Sequence, residues 1–210
     1  MPPVVVWYSE DNTVERTILD FGTVDANSFK PLSADPDTPD DPAYPTTFLL
    51  WNNRYHAVDN PTANTVAVAD MESTTVKVLS LVRDGFGDID PNLSYQATGP
   101  VAGGALEREA NLSVIFYDST RLSGSGQWGS MAANGTTWTA STWKDISGTI
   151  ATPVISYSGA NGVISGGMNT ANPGVNTANY SKMKFRIFVK PEASAGLAEF
   201  IVRVSYSFTG

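Results

Sequence analysis

"KMKFRIFVK" (182–190) decides the fold. Met183, Phe185, Ile187 and Val189 alternate with Lys182, Lys184, Arg186 and Lys190. A period of two places apolar side chains on one face of a strand and cations on the other, so one face lies on a core and the other in water. A helix would scatter the same residues around its circumference. After the turn-rich "PEASAG" (191–196) the pattern returns: Phe200, Val202, Val204, Tyr206 and Phe208 alternate with Arg203, Ser205 and Ser207. Each of these two runs reads as a strand with one face on a core and one face in water.

Upstream, further strand-like runs are separated by turn residues. They are "VVVWY" (4–8), "RTILDFGTV" (16–24), "TTFLLWN" (46–52), "STTVKVLSLV" (73–82), "LSVIFYD" (112–118), "TTWTASTW" (136–143) and "TPVISYS" (152–158). The run at 46–52 is the most apolar and reads as central. Pro153 cannot donate to a ladder, which makes 152–158 an edge strand. No helix-length window carries an i, i+3, i+4, i+7 stripe; "GGALEREANL" (103–112) has room for one or two turns at most. Many strands, 18 glycines, 13 prolines and no clear helix predict an all-β antiparallel sandwich built as one unit over residues 1–210. Residues 83–180 form a long Gly/Asn/Thr-rich insertion within it, able to act as a subdomain.

The chain is long enough to bury a core without a staple. It has no cysteine, which removes thiol chemistry and disulfides, and one histidine, His56. No apolar run approaches the ~20 residues of a membrane helix, and "MPPVVVWYSE" lacks the basic start and long apolar stretch of a signal peptide. The expectation is a protein made in a cytoplasm with no membrane partner. The net charge is −8, and it is unevenly placed. Residues 1–50 hold nine carboxylates against Arg16 and Lys30; residues 182–210 hold five cations against Glu192 and Glu199. Such an acidic chain is a poor nucleic-acid binder, since phosphate attraction supplies most of that affinity. Opposite charge at the two ends of the sequence suits self-assembly or docking on a charged neighbour.

Two further stretches stand out. "SADPDTPDDPAYP" (33–45) carries four prolines and four aspartates and reads as extended and exposed. "NGVISGGMNTANPGVNTANYS" (161–181) is rich in Gly and Asn, and like "RLSGSGQWGSMAANG" (121–135) it is the kind of segment that lies on a neighbour in an assembly.

"DFG" (20–22) invites comparison with the metal-binding turn of protein kinases, but no Gly-rich loop, strand lysine or His-Arg-Asp loop accompanies it. The structural reading sends Phe21 into a core while Gly22 permits a bend. "ILDFGTVDANS" followed by "FLLWNN" (48–53) resembles the opening of Ig-like sandwiches of the Hydin and major-sperm-protein type. There the "DFG" is a corner and Asn52-Asn53 end a strand. With the closing "FRIFVKPEASAGLAEFIVRVSYSFT" (185–209), the chain is similar to a group of tailed-phage virion proteins. The likeness covers the two ends and leaves 83–180 without a counterpart. It implies an Ig-like sandwich and no catalytic residues.

"RDGFGDIDPN" (83–92) offers Asp84, Asp88, Asp90 and Asn92 as oxygen ligands for calcium in a Gly-bent loop, without the order of an EF-hand; a solvated acidic turn explains it more simply. His56 has no Gly-x-Ser-x-Gly elbow to serve and reads as a loop histidine. Glu107 and Glu109 with Asp118 have the residue types of a glycosidase pair, which any acidic chain supplies by chance. Trp128, Trp138 and Trp143, with Tyr117 and Tyr157, are candidates for stacking on sugars, against the plainer role of core or interface packing.

These readings predict a non-enzymatic structural protein on the exterior of a tailed bacteriophage particle, as a tail, baseplate or neck accessory or a head decoration. It would work without a cofactor, as a homo-oligomer packed against other virion proteins. The alternative is a carbohydrate-binding or host-adhesion module using the aromatic residues of the insertion. A glycan hydrolase is the third.

Overall fold

The computed structural model describes residues 1–9, 15, 21, 23–31, 47–80, 96–97, 110–120, 128–131, 138–140, 143–147, 151–170, 176–191 and 200–210. Two antiparallel sheets make an all-β sandwich. The strands are β1 (Val5–Ser9), β2 (Ser28–Pro31), β3 (Phe48–Asn52), β4 (Glu72–Ser80), β5 (Gln96–Ala97), β6 (Ala110–Tyr117), β7 (Trp128–Met131), β8 (Trp138–Ala140), β9 (Lys144–Asp145), β10 (Thr152–Pro153), β11 (Tyr180–Val189) and β12 (Phe200–Ser207). The larger sheet runs β1-β3-β11-β6-β7-β8, with β2 also on β11 and β9 on β6; the smaller runs β10-β4-β12, with β5 also on β4. β11 is the axis of the larger sheet. Its Tyr180–Met183 half pairs with β3, its Arg186–Val189 half with β2, and Lys182–Val189 pairs with β6 on the other side.

The alternation in 182–190 is realised side chain by side chain. Met183, Phe185 and Ile187 are buried and Val189 packs against the same core, while Lys182, Lys184 and Arg186 stand on the opposite face. Phe48 and Leu50 of β3 and Leu112, Val114 and Phe116 of β6 join them, facing Val76 and Val78 of β4 and Val202 and Val204 of β12. Each fully buried side chain of this size contributes roughly 1.5–3 kcal/mol. Phe185 meets Phe48 edge-to-face at 5.8 Å. Phe21 is in this core, as the structural reading of "DFG" requires. Ile146 ties the sheets together: its N–H donates to Leu112 O at 2.8 Å and its carbonyl accepts from Val78 N at 2.9 Å.

Strands from residues 83–180 enter both sheets. β6 is paired with β11 over eight residues, and β5 and β10 lie along β4. β10 is an edge strand only two residues long, ended by Pro153. Three expectations need correction. At its described residues 21 and 23–24 the run 16–24 is not strand; the strand here is β2, entered through a turn at Asn27 with φ +58°. The run 136–143 is strand at Trp138–Ala140, and Trp143 lies outside it. Ala110–Leu112, read as the end of a possible helical turn, begins β6, where pairing with β11 outweighs local helix propensity.

The Gly/Asn run also behaves differently from expectation. Its described residues 161–170 lie on their own chain, along 63–74. Met71 and Ile164 exchange backbone hydrogen bonds at 2.9 and 3.0 Å, Val68 N donates to Gly166 O, and Asn169 N donates to Ala63 O. Asparagine side chains pin this cap. Asn52, the last residue of β3, accepts from Val4 N and donates to Ala69 O and Ile164 O. Asn53, at φ +56°, donates to Val66 O, Gly166 O and Gly167 O and accepts from Asn60 Nδ2. Asn179 donates to Gly167 O at 2.6 Å. Asparagine suits the task because it tolerates the left-handed conformation and carries two donors beside an acceptor.

Candidate functional site

The outer face of the larger sheet carries the chemistry. Tyr180, Lys182, Lys184, Arg186 and Phe188 share one face of β11, since successive side chains alternate. Register places Trp51 beside Tyr180 and Tyr117 beside Lys182, and Tyr117 in turn faces Trp128. Tyr157 enters from outside the sheet. Its N–H donates to Tyr180 O at 2.7 Å, and its carbonyl accepts from Ser119 N at 3.0 Å and Ser119 Oγ at 2.7 Å. This backbone bridge spans the start of β11 and the end of β6 and drops the ring between theirs.

Five rings form a continuous row. Trp51 and Tyr180 lie 4.3 Å apart, Tyr180 and Tyr157 stack at 4.9 Å, Tyr157 and Tyr117 stack at 5.3 Å, and Tyr117 meets Trp128 edge-on at 5.1 Å. Trp51 is buried in a second apolar cluster with Tyr8 and Leu49, so the row runs from a rigid base to a half-exposed end. Desolvation, then the neighbouring Tyr157 and Tyr117 hydroxyls, push the Tyr180 phenol well above its ordinary pKa of 10.0. Lys184 Nζ sits 4.7 Å from the Trp128 ring, and Lys182 Nζ lies 5.0 Å from Tyr117 and 5.8 Å from Trp128. Farther along β11, the Arg186 guanidinium lies between Phe29 at 4.3 Å and Trp143 at 4.6 Å.

The sequence candidates separate accordingly. Trp128 joins Tyr117 and Tyr157, while Trp143 stands apart on Arg186. The backbone of Trp138 is in β8, and its side chain lies outside the described residues. Tyr157 has another ring against each face, and Trp128 and Trp143 each hold a cation against a face, which leaves less flat aromatic surface for a sugar than the residue count suggests. Asp84, Asp88, Asp90 and Asn92 lie outside the described residues, as do Glu107 and Glu109. Asp118 is buried, and its carboxylate accepts from Thr120 N at 2.8 Å and Thr120 Oγ1 at 2.7 Å, closing the turn beside Gly159. His56 closes another turn. Its Nδ1 accepts from Asp59 N at 3.1 Å and lies 2.9 Å from Asp59 Oδ2. Among the described residues no three His, Asp or Glu side chains gather as a metal site would need.

Tyr180, Lys184, Arg186 and Phe29 escaped sequence reasoning as site residues. The cations were visible as the wet face of 182–190, but nothing local marked the rings that flank them. No protein-family model, curated protein or solved structure matches the chain.

Proposed function

We propose that the chain is a non-enzymatic structural protein on the exterior of a tailed-phage particle, acting by packing through the outer face of its larger sheet. The observation that carries the contact role is the composition of that face. Tyrosine, tryptophan and arginine are the residues that dominate protein–protein hot spots, because they combine large apolar area with polar tips. Here they are held in rows on a rigid sheet and left half-exposed. The particle assignment is supported by the resemblance of the two ends of the sequence to phage virion proteins. A repeated contact through such a face gains from symmetry, since weak contacts add over many copies.

Quantitative mass spectrometry of density-purified particles tests this. A copy ratio near that of the major capsid protein makes the chain a head decoration, and a ratio of a few per cent a tail, baseplate or neck component. Absence from particles overturns the reading. The rival is a carbohydrate-binding module, favoured by the meeting of Trp128 with Tyr117 and Tyr157. Quenching of tryptophan fluorescence by a neutral soluble glycan, lost in Trp128→Ala, would put that rival first.

A further inference from the structure

We infer that Arg186 is an anchoring residue that receives a carboxylate from the acidic first quarter of a second copy of this chain. This deepens the contact role above by naming the partner.

Arg186 stands without a carboxylate partner among the described residues. Its guanidinium is clamped between the Phe29 and Trp143 rings, and its Nε is buried without a hydrogen-bond partner. Burial pulls its pKa below the ordinary value, with no carboxylate among the described residues acting in the opposite direction. Among the described residues the carboxylate nearest in register is Asp145, which pairs with Ser113, the residue across from Arg186. Asp145 is exposed and caps Ser147 N at 2.8 Å. A desolvated cation without a counter-ion is costly in an isolated chain, and two flanking rings pre-organise its planar fork for a bidentate acceptor. Phe29 adds an exposed apolar wall at 57% exposure, its ring tilted against Phe188 at 4.6 Å. Lys184 extends the positive line one step along the same face.

The partner follows from charge. Residues 1–50 carry a net −7 of the chain's −8, with Asp35, Asp37, Asp40 and Asp41 within seven residues. A second copy therefore brings a carboxylate-rich sequence to a face whose described charges along β11 are cations. In a two-fold pair each copy both offers and receives, so every contact occurs twice.

The test is the solution mass of the full chain by light scattering and sedimentation, at low salt and at about 0.5 M salt. The expected result is an oligomer at low salt that salt dissociates. Arg186→Gln should weaken association roughly tenfold or more, and Arg186→Lys, which keeps charge but loses the fork, by less. The variant with Asp35, Asp37, Asp40 and Asp41 all changed to Asn should match Arg186→Gln, and circular dichroism should show each variant folded. A monomer at low salt overturns the inference. So does an oligomer indifferent to Arg186→Gln or to salt. Arg186-dependent binding of polygalacturonate by a monomer would assign the site to an acidic glycan instead. None of these outcomes alters whether the chain is found in particles, so this inference and the virion role fail separately.

Discussion

The asparagine-pinned cap and the outer face of β11 spend their polar groups in opposite ways. At the cap, Asn52 and Asn53 give their amide groups to backbone partners from three distant segments. On the outer face, Arg186 and Lys184 hold their charge against aromatic rings. A hydrogen bond satisfied inside the chain stabilises the chain. A cation left against rings contributes little to folding and keeps its charge for something outside. The cap is therefore where substitutions should cost stability, and the face is where they should cost association.

The largest effect is expected at Asn53. Asn53→Ala strands Val66 O, takes the second donor from Gly166 O and Gly167 O, and places a Cβ residue without a local hydrogen bond at φ +56°. The loss should be about 3 kcal/mol, lowering Tm by roughly 6–12 °C for a chain of this size. Asn53→Gly, which relieves the backbone term alone, should recover part of it. Gly166→Ala comes next. A Cβ there would stand 2.3 Å from Val68 O and 2.5 Å from Ala69 O, so backbone must move. A loss of about 2 kcal/mol by denaturant unfolding is expected. If either variant melted like the wild type, the cap would not be a stabilising element and the contrast would collapse.

How far the sequence foretold these two regions differs for a physical reason. The two faces of 182–190 were legible because alternation is local and β11 lies between β3 and β6. The end of β3 at Asn52 was legible as well, through the resemblance of "FLLWNN" to the opening of Ig-like sandwiches; the left-handed exit at Asn53 was not. What Asn53 bonds to was not: Gly166 O lies 113 residues away, and no local pattern encodes that meeting. β2 was missed because a four-residue strand ending in proline has too few residues to show a period. The aromatic row was half legible. Trp128, Tyr117 and Tyr157 were singled out for residue type, but their contact depends on a backbone bridge from Tyr157 to Ser119 and Tyr180. Arg186 was read as solvated because alternation reports a face and not what covers it.

Alkaline pH probes the boundary between the two regions, because the row runs from buried Trp51 to half-exposed Trp128. The folded state holds the Tyr180 proton more tightly than the unfolded state does. Below pH 10 both states are protonated and this group leaves stability unchanged. As pH rises through 10 the unfolded state ionises first, so stability falls until the raised folded pKa is reached. Titration at 295 nm should show a tyrosinate that appears only with unfolding, and Tyr180→Phe should remove that step and shift alkaline unfolding to higher pH. A step unchanged in Tyr180→Phe would mean the row is wetter than its geometry indicates.

The smallest stability effect is expected where the association effect is greatest. Arg186→Met removes a cation whose burial no carboxylate among the described residues compensates, and keeps a flexible apolar stem between Phe29 and Trp143. The cation–ring attraction lost and the desolvation relieved are of similar size and opposite sign, so unfolding free energy under dilute, high-salt conditions should stay within about 0.5 kcal/mol of wild type. Lys184→Gln should behave alike. A loss of several kcal/mol in Arg186→Met, measured where no oligomer forms, would show that the guanidinium serves the fold as Asn53 does. The two regions would then be one kind of structure, and the outer face would have no charge left over for a partner.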